Sequence, residues 1–206
     1  MLQIQVVNAK IDNDFDNPLG LLSDCHRRIE MFLDRLILVS EQVRGAELSP
    51  DQRETLASAL RYFRLAAPLH TADEETSLFP RLRTLAEAGD PKARQTLATV
   101  GRLEADHEAA DARHGEIDRL GSRWLDQGTL PVAEAARLES EVRNLRSFYA
   151  AHIAVEDKQL FPLAGEILDG DEVEVLGREM AARRGLDFDN LPAGSRCAAR
   201  RAAMMK

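Results

Sequence analysis

A chain of 206 residues with a net charge of −8 is long enough for one domain with a substantial core, and its acidity argues against general nucleic-acid binding, which needs a basic surface. Aromatic residues are few, while Ala, Leu, Arg and Glu are abundant, a balance that favours helix over sheet. Two cysteines, Cys25 and Cys197, cannot make a disulfide framework, and the apolar runs are too short to cross a bilayer. With no secretory pattern at the start, the expectation is a cytoplasmic protein with no membrane partner.

Residues 1–17 read as a polar, acidic N-terminal extension. Asn17-Pro18 then opens a first helix, with Asn as cap and Pro in the first turn, and Gly45 is its expected stop. Leu19, Leu22, His26, Ile29, Leu33 and Leu36 form its inner stripe. Ser49 and Gln52 have capping-box spacing, and a second helix is expected from there to about Ala86, kinked at Pro68 and Pro80. Asp90-Pro91 starts a third helix that runs to about Gln127, and Thr129-Leu-Pro131 a fourth that runs to about Leu168. A shorter fifth helix, Asp171 to Arg184, ends at Gly185. Long helices joined by short turns predict an all-α protein, an up-down-up-down four-helix bundle over residues 18–185. Residues 186–206 read as a basic tail, either a mobile end or an arm that docks an anionic protein partner or the acidic body of the chain itself.

The sequence repeats itself. His70-Thr-Ala-Asp-Glu-Glu-Thr-Ser-Leu-Phe-Pro80 is echoed by His152-Ile-Ala-Val-Glu-Asp-Lys-Gln-Leu-Phe-Pro162, and His26 to His107 spans 81 positions where His70 to His152 spans 82. Each of these four histidines has an acid four residues on: Glu30, Glu74, Asp111 and Glu156. That spacing puts both side chains on one helical face. Several inward carboxylates without partners would each cost several kcal/mol, roughly, and a metal ion is the partner that offsets this. Imidazole with carboxylate and no thiolate suits iron, manganese or zinc. If Glu74 and Glu156 both bridge, the histidines divide two to each metal, leaving open positions suited to ligand binding or redox chemistry. No glycine-rich phosphate loop or Gly-x-Ser-x-Gly elbow is present.

Over about residues 17–168 the chain resembles the hemerythrin-like (HHE cation-binding) family. The resemblance rests on His26 in Asp24-Cys-His-Arg-Arg-Ile-Glu30, on both His-x3-Glu…Phe-Pro motifs, and on His107 in Glu104-Ala-Asp-His-Glu108. It implies a four-helix bundle with an oxo- or hydroxo-bridged pair of iron ions, zinc or manganese being alternatives. His26, His70, His107 and His152 would be terminal ligands, with Glu74 and Glu156 as bridges. The implied partner is a small ligand such as O2, peroxide or nitric oxide. Oxygen carriers of the family have a fifth histidine four residues after the third-helix ligand; here that residue is Asp111. The resemblance is therefore closer to the iron- and oxygen-sensing members, iron supply being a further signal they would read, with a di-iron enzyme or a zinc-bound or metal-free interaction protein as alternatives.

The remaining candidates have subordinate expected roles. His114 stands two turns beyond His107 and should hydrogen-bond a carboxylate or line an access path rather than ligate. Asp111 is expected to orient a ligand histidine, and Glu30 either to do the same or to enter a vacant position. Glu75 and Asp157 should be solvated or support the ligands, Tyr149 should pack, and Cys25 should be buried and inert. Phe79-Pro80 and Phe161-Pro162 are expected to cover the bundle ends.

Overall fold

The computed structural model describes residues 13–191, among which every regular element is helical. In chain order these are α1 (Pro18–Val43), α2 (Pro50–Leu65), α3 (Ala67–Asp73), α4 (Phe79–Glu87), α5 (Pro91–Gln127), α6 (Val132–Val155), α7 (Phe161–Ile167) and α8 (Gly170–Arg183), with a 3-10 turn at Phe188–Asn190. Two π-helical turns, Glu74–Leu78 and Glu156–Leu160, join α3 to α4 and α6 to α7.

The helix starts are those their local chemistry dictates. Asn17 accepts from the Gly20 amide and Asp90 from the Ala93 amide. Ser49 and Gln52 complete the reciprocal capping box. At the end of α1, Arg44 enters the left-handed region at φ 50°, and Gly45 follows at φ 82°. A Cβ on Gly45 would lie 2.3 Å from the Leu130 carbonyl oxygen, because Gly45 accepts the Leu130 amide where the two loops meet. Gly45→Ala combines backbone strain with a clash against main chain. It should cost about 2 kcal/mol or more, read as a lowered urea midpoint at unchanged slope.

The second predicted helix is interrupted near both of its prolines, as expected. Ala66 breaks it at φ −104°, with Pro68 in the first turn of α3, and the π turn follows four residues after His70. The predicted fourth helix is interrupted in the same way before Pro162. In each case the phenylalanine amide reaches back five residues, Phe79 to the Glu74 carbonyl and Phe161 to the Glu156 carbonyl. A proline ring clashes with the carbonyl four residues before it, and widening the turn by one residue relieves that clash.

Four long helical runs pack in a ring: α1 against α2, α2 against α5, α5 against α6, and α6 against α1. Two apolar clusters fill this ring. The first contains Ile29, Leu33, Leu60, Ala110, Ile117, Trp124, Leu145 and Tyr149. The second contains Leu21, Leu22, Leu78, Phe79, Val100, Leu103, Leu160 and Phe161. Along every run, the family of histidines and glutamates falls between residues of the two clusters. A polar layer thus lies between the two apolar clusters.

The edges of the expected bundle carry more structure than the sequence suggested. Phe15, in the expected N-terminal extension, is fully buried, and Phe188, in the expected tail, is 8% exposed, both in the second cluster. The basic stretch Arg196 to Lys206 lies outside the described residues.

Candidate metal centre

The polar layer gathers His26 from α1, His70 from α3, His107 from α5 and His152 from α6, with Glu74 and Glu156 at the first positions of the two π turns. All six are buried, both glutamates completely. The π turns place the carboxylates. Each glutamate amide is shared between two carbonyls, those of His70 and Thr71 for Glu74 and those of His152 and Ile153 for Glu156, as the chain passes from α to π winding.

Ligand atoms of His26, His70, Glu74 and Glu156 lie within 4.8 Å of one another, as do those of His107, His152 and Glu156. His26 Nε2 is 3.1 Å and His152 Nε2 3.2 Å from Glu156 Oε2. Glu74 reaches both sides, its Oε1 3.5 Å from His70 Nε2 and its Oε2 3.5 Å from His107 Nε2. Yet all four carboxylate oxygens and His26 Nε2 are buried without an aligned hydrogen-bond partner. Acceptors aimed at the same space as imidazole nitrogens, and satisfied by neither, are a donor set that fits cations.

Electrostatics agree with that reading. Burial, then the neighbouring Glu156 and Asp73 carboxylates, pushes the Glu74 carboxyl well above its ordinary range. Burial also opposes ionisation of Glu156, but contacts with His152 and His26 outweigh it and hold its carboxyl low. His70 is pushed well down by burial and by the other imidazoles. For His26, burial is overcome by Asp157 and Glu156, which raise it to about 9. Without a cation the two glutamates differ in protonation, since two adjacent buried carboxylates do not both ionise.

Three of the outer imidazole nitrogens face carboxylates, two of these carboxylates coming from the other half of the repeat and one from the same half. Asp157 Oδ1 lies 2.9 Å from His26 Nδ1, and Glu75 Oε1 lies 2.8 Å from His107 Nδ1. Asp106 Oδ2 is 3.3 Å from His152 Nδ1. Ser23 donates to Asp157 as well. The phenylalanines exchange in the same sense: Phe161 stacks on His26 with ring centres 5.4 Å apart, and Phe79 on His107 at 6.4 Å. Both rings thus wall the polar layer on the side of the second apolar cluster.

Several sequence expectations need correction. Asp111 is exposed and outside the layer; Asp106, one residue before His107 and absent from the sequence argument, orients a histidine. The facing residue is set by how α5 rotates against α6, which the four-residue spacing does not encode. Glu30 points to Arg146 at 3.2 Å. His114 Nε2 lies 2.9 Å from the Tyr149 hydroxyl, a phenol where a carboxylate was expected, and burial lowers it to about 4.

This depressed value carries a testable pH dependence. His114 has a folded value near 4 against an ordinary 6.5, so its contribution to stability is whole above pH 6.5 and is lost as pH falls towards 4. The loss is roughly 3 kcal/mol. Urea midpoints of metal-free wild type and His114→Gln should therefore converge by about that amount between pH 7 and pH 4. A constant gap would show that His114 is not the group being titrated.

Fold and donor set together define an all-helical protein with a buried nitrogen–carboxylate site fit for metal cations. The chain belongs to the hemerythrin HHE cation-binding domain family, whose model matches residues 17–164. It is also 26% identical over 186 residues to a Haemophilus influenzae protein described as an uncharacterized protein, an alignment covering 88% of this chain and 98% of that one. Members of the family bind metal cations, typically iron. Among the described residues no helix is long and apolar enough to cross a membrane.

Proposed function

We infer that the chain is an up-down-up-down four-helix bundle that holds two iron ions and binds or senses a small ligand: O2, peroxide or nitric oxide. His26 and His70 would hold one ion and His107 and His152 the other, with Glu74 and Glu156 shared between them. The observation that carries this reading is the set of four buried carboxylate oxygens, all without hydrogen-bond partners, facing imidazole nitrogens. Zinc and manganese suit the same donors.

Bound iron would supply a redox couple and open coordination positions. The chain's own residues do the rest. Asp157, Glu75 and Asp106 keep three imidazoles in one tautomer, with Nδ1–H outward and Nε2 free to ligate. Phe79 and Phe161 keep water from the layer. The exposed Asp111 supports sensing over oxygen carriage, because no fifth imidazole stands at that position. A cytoplasmic site of action is part of the proposal, since ferrous iron and two cysteines unsuited to a disulfide framework both belong in a reducing compartment.

Anaerobic reconstitution with ferrous iron tests the reading. It predicts two irons per chain and a visible spectrum that changes on admitting at least one of the three ligands. Protein that takes up no iron, and melts at the same temperature in chelator, would refute it. Multiple turnover of peroxide or nitric oxide would instead make the protein an enzyme.

A further inference from the structure

The two halves of the site are related by the internal repeat, and this relation fails at one place. Glu75 supports His107 just as Asp157 supports His26, and Phe79 stacks on His107 just as Phe161 stacks on His26. The counterpart of His152 is His70. The residue that supports His152 is Asp106, immediately before His107, and the residue immediately before His26 is Cys25. Cys25 is 2% exposed, buried at the position where the other half has its carboxylate. His70 Nδ1 is correspondingly buried with no hydrogen-bond partner.

We propose that Cys25 makes the two metal positions unequal: the His107–His152 side is the high-affinity position that fills first, and the His26–His70 side is the weaker, exchangeable one. This deepens the di-metal reading and rests on it. A carboxylate on the outer nitrogen fixes the tautomer and raises the basicity of the ligating nitrogen, and losing such a partner lowers metal affinity by roughly 10–100-fold. A thiol is a weak donor and a weak acceptor and gives little of either effect. Cys25 is thus a positioning residue defined by what it fails to supply to His70. An unequal pair has a use in a sensor of metal supply. One ion stays to hold the fold while occupancy of the other follows its concentration.

The test is a titration of the metal-free full chain with Zn(II), read by the imidazole nitrogen resonances of the assigned histidines. At one equivalent the His107 and His152 signals should move, and the His26 and His70 signals only as the second equivalent is added. Two steps alone decide nothing, because two cations repel; the order and the response of the variants do. Cys25→Asp should bring the steps together by roughly 10–100-fold. Asp106→Asn should weaken the first step by a similar factor and remove the order of filling. If all four histidines shift together in wild type, if His26 and His70 shift first, or if neither variant alters the gap, the proposal is wrong. Should Cys25→Asp fail to fold, Asp106→Asn decides alone, since an undisturbed order of filling in that variant overturns the inequality. Uptake of fewer than two zinc ions per chain would instead count against the two-metal reading itself.

Discussion

Glu74→Gln should give a protein that is more stable than wild type when both are metal-free, and less stable when both are supplied with metal. In metal-free protein Glu74 is fully buried beside Glu156 and Asp73, and its oxygens make no aligned hydrogen bond. A neutral amide of the same shape removes the penalty of burying an ionisable group, so the metal-free variant should be the more stable. With metal the sign inverts. On the proposed two-metal reading, wild type gains about 2.7 kcal/mol for each site saturated at a hundredfold excess over its dissociation constant, whereas the variant would lose a shared anionic ligand. Metal content should fall from two ions per chain to one or none. Thermal melts of both proteins with iron and with chelator, beside an iron count, read all of this together. A metal-free variant weaker than metal-free wild type would mean that Glu74 is structurally satisfied in a way its geometry does not show.

Asp73→Ala should be the most damaging single change outside the ligand set, at about 3–5 kcal/mol. Asp73 is fully buried, accepts from Arg184 at 2.6 and 3.1 Å, and is also paired with Arg183. The Arg184 side chain is only 2% exposed. Removing the carboxylate strands that guanidinium in the interior, and a buried charge without its partner is what makes breaking such pairs costly. Arg184→Met, which leaves no stranded cation in its place, should cost less in the Asp73→Ala background than alone. Urea denaturation of the four proteins in the cycle measures this; a loss under about 1 kcal/mol for Asp73→Ala would show that water reaches Arg184 readily.

The same contacts tie α8 to the first π turn. Arg183 also donates to Thr76 and Ser77, and Arg81 is paired in a bidentate manner with Glu179. Asp73 directly precedes Glu74, so the α8 clamp and the shared carboxylate sit on one stretch of backbone. The repeat has no second clamp of this kind, since the residue in the place of Asp73 is Val155. Asp73→Ala should accordingly lower metal content as well as stability, which the same iron count reports.

Much of this architecture is decided by short-range chemistry and is therefore legible in the chain itself. Asn17, Ser49 with Gln52, and Asp90 act on amides three residues away, so the helix starts follow from local sequence. The four-residue spacing of His70 to Glu74 and of His152 to Glu156, doubled by the repeat, marks the six residues that meet in the polar layer. Helix geometry requires that each pair share a face, and the apolar stripes require that the face point inward.

What lies between helices could only come from the tertiary structure. Whether Asp106 or Asp111 supports a histidine depends on the rotation of α5 against α6, and spacing along one helix points to Asp111, the wrong one. The π turns have no strong sequence signature beyond a downstream proline, which is equally compatible with a simple kink. The burial of Asp73 depends on arginines 110 and 111 positions further along. The unsupported His70 appears only when its Nδ1 is found buried without a hydrogen-bond partner, where its counterpart His152 faces Asp106. Periodicity specifies which side of a helix is interior because that is a property of one helix. The partner each interior group finds is a property of two, and here it is that pairing which makes the halves of the site unequal.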